Sequence, residues 1–224
     1  MQLNESRLGY SVSVISTTPT IFLDSVPLLE STGMDRIHVD VMDGDFVPRF
    51  GLYPEFVSEI RGRTRLPIDV HMMIRSPEKY VADFAAAGAT RIVPHIEPVE
   101  HLSRLVSAIL DSGVEAGLAL NPHTDFSSLK YVLGELNCVM LMAINPGIVG
   151  HKAIPATLAK VRDASEYLSA KGFEGNLEVD GGVLFNNVRA FASSGADTLV
   201  VGAGTLFNPG RPLEDNIREL NSLR

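Results

Sequence analysis

Residues 37–44 read Ile-His-Val-Asp-Val-Met-Asp-Gly, a strand-like run that carries a histidine and a carboxylate two positions apart. Successive side chains of a strand point to opposite faces, so we expect His38, Asp40 and Met42 to share one face. A buried imidazole beside a buried carboxylate is costly unless a positive group satisfies both, and a divalent metal ion does so. A hydrogen bond between the two side chains is the simpler alternative for this run alone. The run therefore predicts a buried strand with one chemically active face.

Seven other apolar runs have the same strand-like character, and amphipathic stretches separate them. The eight predicted strands are residues 11–15, 36–41, 67–71, 91–96, 115–120, 138–144, 176–180 and 198–202. The intervals leave room for a helix and two short loops, which is typical of repeated βα units. We therefore predict an α/β fold, a (β/α)8 TIM barrel with residues 1–224 as a single domain. A doubly wound sheet would need a glycine-rich loop after the first strand, and residues 15–19 contain no glycine.

Composition excludes several classes of partner. The chain of 224 residues has a formal net charge of -8, and its basic residues are scattered. Neither nucleic acid nor an anionic membrane is therefore expected as a partner. Residues 1–10 lack a hydrophobic signal segment, and the lone cysteine, Cys138, lies in an apolar run where we expect it to be a core residue. We expect a cytoplasmic protein that forms a homo-oligomer.

Polar side chains gather at the ends of the predicted strands, where a barrel of this type places its functional groups. His38 and Asp40 lie on the second strand, His71 ends the third, and Asp180 ends the seventh. Two imidazoles and two carboxylates at one mouth suit one divalent ion. Zinc is the expected ion, and iron(II), manganese and cobalt stay open because ligand type discriminates poorly among them.

Glycine-containing turns follow the last three predicted strands. They are residues 145–150, Gly181 with Gly182, and residues 202–204. Glycine lets backbone amides approach a ligand, and a phosphate site near the seventh and eighth strands is a recurrent feature of such barrels. The alternative is that these glycines serve only the geometry of the turns. We predict that phosphate is held by the amides of residues 147–150, Gly182, Gly202 and Ala203.

The sequence resembles the ribulose-phosphate 3-epimerase family over nearly its whole length. The segments that carry the resemblance are residues 38–48, 69–73, 145–147 and 178–183. The resemblance implies that His38, Asp40, His71 and Asp180 are metal ligands and that Asp40 and Asp180 also form the acid/base pair. The predicted substrate-binding set joins family positions to the glycine turns: Ser13, His71, Met42, Met73, Met142, Gly147, Ile148, Val149, Gly150, Gly181, Gly182, Gly202 and Ala203. Ordinary barrel packing is the alternative for the methionines.

The resemblance implies metal-dependent epimerisation at C3 of a ketose phosphate. The leading substrate pair is D-ribulose 5-phosphate and D-xylulose 5-phosphate, interconverted by two-aspartate proton transfer through a metal-stabilised enediolate without an organic cofactor. Val149, His151 and Ala203 depart from the family's usual residues, which keeps a D-allulose 6-phosphate 3-epimerase open. A non-catalytic barrel that binds a sugar phosphate is the alternative from another class. A related decarboxylase would carry an Asp-x-Lys-x-x-Asp element, which the second strand lacks.

Overall fold

The computed structural model describes residues 7–148 and 150–224, which form a closed barrel of eight parallel strands. Each strand pairs with its neighbour in sequence, and the first closes the barrel against the eighth. This confirms the predicted (β/α)8 architecture. The strands are β1 (Gly9–Ser13), β2 (Arg36–Met42), β3 (Ile68–Met73), β4 (Arg91–Pro94), β5 (Glu115–Leu120), β6 (Cys138–Met142), β7 (Asn176–Asp180) and β8 (Thr198–Val201).

Helices cover the outside of the barrel. They are α1 (Pro19–Ser31), α2 (Pro54–Arg61), α3 (Val81–Ala86), α4 (Leu102–Asp111), α5 (Ala156–Ala170), α6 (Val188–Ser193) and α7 (Leu213–Asn221). Between β5 and β6 the chain forms two short 3₁₀ turns, Phe126–Leu129 and Leu133–Glu135, where the repeating pattern predicts an α-helix. Among the residues described, none of the helices combines the length and apolar character needed to cross a membrane.

Alternation along β2 separates the hydrophobic core from the interior of the barrel. Ile37, Val39 and Val41 are buried in the core cluster formed between the strands and the helices. His38 and Asp40 are also buried but belong to the opposite face, and Asp40 pairs in register with His71 of β3. The predicted chemical face of this strand is therefore confirmed. Parallel pairing brings the carboxyl ends of all the strands to one mouth of the barrel.

Further into the barrel interior from this mouth, charged side chains form a network. The Arg91 guanidinium, which is fully buried, donates to Asp69 Oδ2 at 2.6 Å and also to Glu178. Arg36 Nε donates to the same Asp69 carboxylate at 2.8 Å. Breaking one partner of such a network would leave a buried charge unpaired, which costs several kcal/mol (about 3–5). Asp69 lies two residues before His71 on the same strand, so this network underlies the site.

Several predicted strand ends differ from the structure by one or two residues, and the largest local difference is at β1. β1 ends at Ser13 because Val14–Ser16 form a 3₁₀ turn, so the strand starts and ends earlier than expected. Ser76 and Pro77 are typical of a helix cap and first helical position, but Pro77 opens a 3₁₀ turn, Pro77–Lys79, and the Ser76 side chain makes no capping hydrogen bond. Helix α3 therefore begins only at Val81.

Candidate active site

Four side chains from three strands converge at the C-terminal mouth of the barrel. His38 Nε2 lies 3.3 Å from His71 Nδ1 and 3.3 Å from Asp40 Oδ1. Asp180 Oδ2 lies 3.4 Å from His71 Nδ1 and 3.7 Å from His38 Nε2. One ligand atom from each residue lies within 4.8 Å of all the others. The structure thus brings together all four predicted metal ligands.

The spacing of these donor atoms fits a single divalent ion. Metal–nitrogen and metal–oxygen bonds of about 2.0–2.1 Å in a tetrahedral site place the donor atoms about 3.4 Å apart. The five separations given for the cluster lie between 3.3 and 3.7 Å. Two carboxylates also balance the charge of a divalent cation. The cluster can therefore hold a metal ion, although nitrogen and oxygen donors do not distinguish zinc from iron(II), manganese or cobalt.

The protonation of the cluster follows from its burial and its charges. Burial alone would lower the pKa of His38, but the carboxylates of Asp40 and Asp180 raise it to about 9. Burial opposes the charged form of His71 as well, and hydrogen bonding to Asp180 and Asp40 raises its pKa. Burial would raise the pKa of Asp40, whereas His38 and His71 hold it well below the ordinary value. The carboxylates that raise the pKa of both histidines would also attract a cation, and a metal ion would bind the histidines in their deprotonated form.

Ser13 fixes the orientation of Asp40. Its hydroxyl donates to Asp40 Oδ2 at 3.0 Å, while Oδ1 of the same carboxylate faces the two histidines. One oxygen is therefore held by a hydroxyl and the other belongs to the cluster. This position is reached because Ser13 is the last residue of β1 and pairs in register with His38 of β2.

A cavity of about 240 Å³ opens above the cluster. Asp40 and Asp180 line it, whereas His38 and His71 are fully buried and are not among the lining residues. The other predicted substrate contacts that line the cavity are Ser13, Met42, Met73, Met142, Gly147, Ile148, Gly150, Gly181, Gly182, Gly202 and Ala203. Val149 lies outside the described residues. The predicted set thus surrounds one cavity, except for the buried His71 and the undescribed Val149.

Glycine backbone forms part of the cavity wall. At Gly182, where φ is +65°, an added Cβ would collide with the backbone nitrogen of Ala153. At Gly202, an added Cβ would collide with the hydroxyl of Ser16. Backbone therefore approaches the cavity where a side chain has no room. No lysine or arginine of the described residues lines the cavity, so the groups that could bind an anion there are backbone amides, the hydroxyls of Ser13 and Ser16, and His151.

The sequence analysis missed a second pair of polar residues beside the cluster. His95 follows β4, its side chain is fully buried, and its Nδ1 lies 2.9 Å from Glu97 Oε2. The His95 ring stacks on that of His71 with centroids 5.0 Å apart. The sequence does contain a pattern that could have predicted this pair. His95-Ile96-Glu97 repeats the histidine–x–acid pattern of β2 at the end of a predicted strand.

The fold and the site together define a class of protein. It is a (β/α)8 barrel in which His38, Asp40, His71 and Asp180 form a metal-type cluster. A cavity that is walled in part by glycine backbone lies above this cluster. A family model described as the ribulose-phosphate 3-epimerase family matches residues 10–207. The chain belongs to the ribulose-phosphate 3-epimerase family.

Relatives from distant organisms agree with this assignment. The chain is 41% identical over 180 residues to a ribulose-phosphate 3-epimerase of Escherichia coli, with 80% of each chain covered. It is 39% identical over 192 residues to the enzyme of that name from Bacillus subtilis, covering 85% of this chain and 88% of the relative. A chloroplastic ribulose-5-phosphate-3-epimerase of Arabidopsis thaliana is 39% identical over 204 residues, covering 90% of this chain and 73% of the relative.

Solved structures agree on the fold. A mutant tryptophan synthase alpha-subunit from the hyperthermophile Pyrococcus furiosus superposes with a TM-score of 0.71 at 19% identity. The match covers 97% of this chain and 98% of that chain. At this level of identity the likeness concerns the barrel alone, because one fold hosts many unrelated functions.

Proposed function

We propose that the protein is a metal-dependent ribulose-phosphate 3-epimerase that interconverts D-ribulose 5-phosphate and D-xylulose 5-phosphate. The observation that carries the proposal is that Asp40 and Asp180 belong to one metal-type cluster and line one cavity. Epimerisation at C3 requires the removal of one proton and the return of another to the opposite face of the carbon. Two carboxylates that share a cavity supply the two proton-transferring groups that this reaction needs.

His38, Asp40, His71 and Asp180 would hold the metal, and we propose zinc, whose four-coordinate sites accept this set of nitrogen and oxygen donors. When bound, a divalent ion supplies Lewis-acid stabilisation for the negative charge that develops when the proton leaves C3. Asp40 and Asp180 also balance the charge of the cation. His38 and His71 act only as neutral donors from behind the carboxylates, since neither lines the cavity.

Asp40 and Asp180 divide the proton transfer. In one direction the first carboxylate takes the C3 proton while the second, protonated beforehand, delivers a proton to the other face. In the reverse direction the roles exchange, because substrate and product differ only in configuration at C3. Ser13 supports this function by holding Asp40 Oδ2 at 3.0 Å, which restricts rotation of the carboxylate. A fixed orientation matters because proton transfer requires the base within hydrogen-bonding distance of its proton.

The two walls of the cavity have different roles. Met42, Met73 and Met142 present apolar surface that limits the access of water to the carbanionic intermediate. The backbone amides of the glycine turns, including those at Gly182 and Gly202, would hold the phosphate. Because amides arranged around an anion gain little from a neutral hydroxyl, the phosphorylated ketose should be strongly preferred over the free sugar.

A second candidate is epimerisation of the six-carbon D-allulose 6-phosphate. His151 and Ala203 line the cavity and differ from the residues that pentose enzymes usually carry there. Different residues in the loops around the proposed phosphate-binding end of the cavity change the space that is available there for a longer sugar. The metal-type cluster and the two carboxylates would serve either substrate.

One comparison of rates tests both candidates. The metal-loaded protein is assayed for kcat/KM on ribulose 5-phosphate, allulose 6-phosphate and the two unphosphorylated sugars. We expect ribulose 5-phosphate to give the highest value and the free sugars to be poor substrates. A preference of about a hundredfold for the hexulose, equivalent to about 2.7 kcal/mol, would transfer the assignment to the second candidate. Binding without turnover of any of them would instead indicate a non-catalytic barrel. The expected cytoplasmic location and homo-oligomeric state stay predictions.

A further inference from the structure

A second histidine–carboxylate pair lies directly against the metal-type cluster. The ring of His95 stacks on the ring of His71 with centroids 5.0 Å apart and an interplanar angle of 28°. The ring of Phe46 contacts His95 from 5.1 Å. His95 is fully buried and does not line the cavity, so it is not placed to touch a substrate. Its stacking contact with His71 therefore links it to the metal-type cluster.

Glu97 holds His95 in place and is itself held from the next strand. Its Oε2 lies 2.9 Å from His95 Nδ1, and its Oε1 accepts from the backbone N–H of Asn121 at 2.7 Å and from the hydroxyl of Thr124. Lys160 of α5 donates to the carbonyl of Asn121 at 2.7 Å. These contacts tie His95 to the segment after β5 and to α5. The position of the ring is therefore determined by several elements at once.

The contacts of His95 and His71 also indicate which ring nitrogens carry protons. The carboxylate of Glu97 can only accept, so His95 Nδ1 carries a proton and Nε2 of the neutral ring offers a lone pair. With a metal ion bound at Nδ1, which faces the carboxylates of Asp40 and Asp180, the neutral ring of His71 would carry its proton on Nε2. Within the described residues neither Nε2 atom has a hydrogen-bond partner, and both are buried. With a metal bound, the stacked rings would therefore present one donor and one acceptor that have no partner among the described residues.

We propose that His95 and Glu97 are positioning residues that hold His71 with Nδ1 directed at the metal. The inference rests on the metal centre of the proposed function and adds two residues to it. Glu97 fixes the tautomer and orientation of His95, and His95 fixes the plane of His71 by stacking on its ring. Outer residues that orient a histidine ligand typically change metal affinity or activity 10–100-fold, so an effect of about tenfold or more is expected.

The test is a titration of metal-free protein with Co²⁺, followed by its visible absorption, which reports affinity and ligand geometry without turnover. Glu97→Gln should weaken Co²⁺ binding about tenfold or more and change the absorption band, since the single amide oxygen of glutamine can face either His95 Nδ1 or the donors of Asn121 and Thr124, but not both. Asp125→Asn is the matched control. Asp125 lies in the same segment and caps the turn Phe126–Leu129 through an oxygen that asparagine retains, so binding should be unchanged.

Two further measurements keep the inference falsifiable. Thr124→Val removes one hydrogen bond from Glu97 but leaves its charge, so it should weaken Co²⁺ binding to a smaller degree if Glu97→Gln fails to fold. Nitrogen-15 NMR of the wild-type histidines should show His95 protonated on Nδ1. The inference is overturned if folded Glu97→Gln binds Co²⁺ with the wild-type affinity and spectrum, or if His95 carries its proton on Nε2. Wild-type protein that does not bind Co²⁺ would overturn the metal centre as well, whereas normal Co²⁺ binding without epimerisation would contradict only the proposed function.

Discussion

At the scale of single residues, alternation along the strands places the reactive side chains together in one layer of the barrel interior. These few side chains determine the chemistry of the protein. Asp40 and Asp180 are part of the metal-type cluster and are also exposed to the cavity, a combination that His38 and His71 do not share. The carboxylates are therefore the only cluster members in direct reach of a substrate. This difference in exposure separates the proposed roles of the carboxylates and the imidazoles.

Asp180→Asn should lower kcat on ribulose 5-phosphate by at least about a hundredfold, because an amide cannot exchange a proton with C3. Elemental analysis of the variant measures whether the metal is retained, which separates loss of proton transfer from loss of the cofactor. Asp163→Asn is the control, since Asp163 lies on α5 with a side chain that is 59% exposed. Near-normal kcat in Asp180→Asn with metal still bound would contradict the acid/base assignment.

Ser13→Ala should lower kcat about tenfold while the protein keeps its metal. The substitution removes the hydrogen bond that orients Asp40, and a hydrogen bond to a charged group contributes about 1.5–3 kcal/mol. Steady-state kinetics and metal analysis on the same sample provide the measurement. If KM rises while kcat stays unchanged, Ser13 contacts the substrate and does not orient Asp40.

At the scale of elements, side chains at the strand ends form the metal-type cluster, and the loops that follow the strands form much of the cavity wall. Alternation and the C-terminal rule of parallel barrels predicted the positions of His38, Asp40, His71 and Asp180 from the sequence. The same rule could have predicted His95 and Glu97, since His95 lies within the predicted strand 91–96 and Glu97 directly follows it. The two 3₁₀ turns before β6 were not predictable from periodicity, since Pro122 and Gly134 interrupt the helical pattern of residues 121–137.

The carboxylate of Glu97 should make stability depend on pH. Burial would raise its pKa from the ordinary value of 4.5, but hydrogen bonds from His95, Thr124 and Asn121 lower it to about 2. A lowered pKa in the folded state stabilises the protein above pH 4.5, and that contribution is lost as the pH falls toward 2. Glu97→Gln should therefore lower the free energy of unfolding at pH 7 by on the order of 2 kcal/mol, which a typical domain tolerates.

Denaturant titrations of both proteins at several pH values measure this difference. The gap between wild type and Glu97→Gln should shrink below pH 4.5, because protonated glutamate and glutamine are both neutral. A gap that stays constant down to pH 3 would show that Glu97 contributes through packing and not through its charge.

The glycine turn after β7 should determine how well phosphate binds. Gly182→Ala should raise KM for ribulose 5-phosphate, because the added Cβ would displace the backbone at Ala153 beside the cavity. Gly172→Ala is a matched control, since Gly172 has a similar φ of +69° but nothing within 4 Å of the added Cβ. Both variants should lose about 1 kcal/mol of stability from the backbone strain, and only Gly182→Ala should change KM. Equal KM values would contradict the backbone cradle.

For the molecule as a whole, the closed barrel was predictable because eight apolar runs recur along the chain, separated by intervals long enough for a helix and two loops. The charged interior was not, because Arg91 and Glu178 each lie in an apolar run, and only the closure of the barrel brings them together with Asp69. The site lies directly above this network of buried charges. The metal should therefore contribute to the stability of the barrel as well as to the reaction.

Removing the metal should lower the melting temperature. Purified protein is expected to hold about one divalent ion per chain, and a ligand at a hundred times its Kd stabilises the folded state by about 2.7 kcal/mol. For a chain of this size, that contribution corresponds to a fall of roughly 5–10 °C on exhaustive chelation. Calorimetry before and after chelation measures it. An unchanged melting temperature, with activity that survives chelation, would contradict a metal centre.

The central claim is that Asp40 and Asp180 exchange a proton at C3 of a ketose phosphate, and isotope exchange tests it most directly. Metal-loaded protein is incubated with ribulose 5-phosphate in deuterium oxide, and proton NMR follows both the substrate and the xylulose 5-phosphate that forms. The product should carry deuterium at C3, and Asp40→Asn and Asp180→Asn should form none of it at a measurable rate. Product that forms at the full rate with its original C3 proton would contradict two-carboxylate proton transfer.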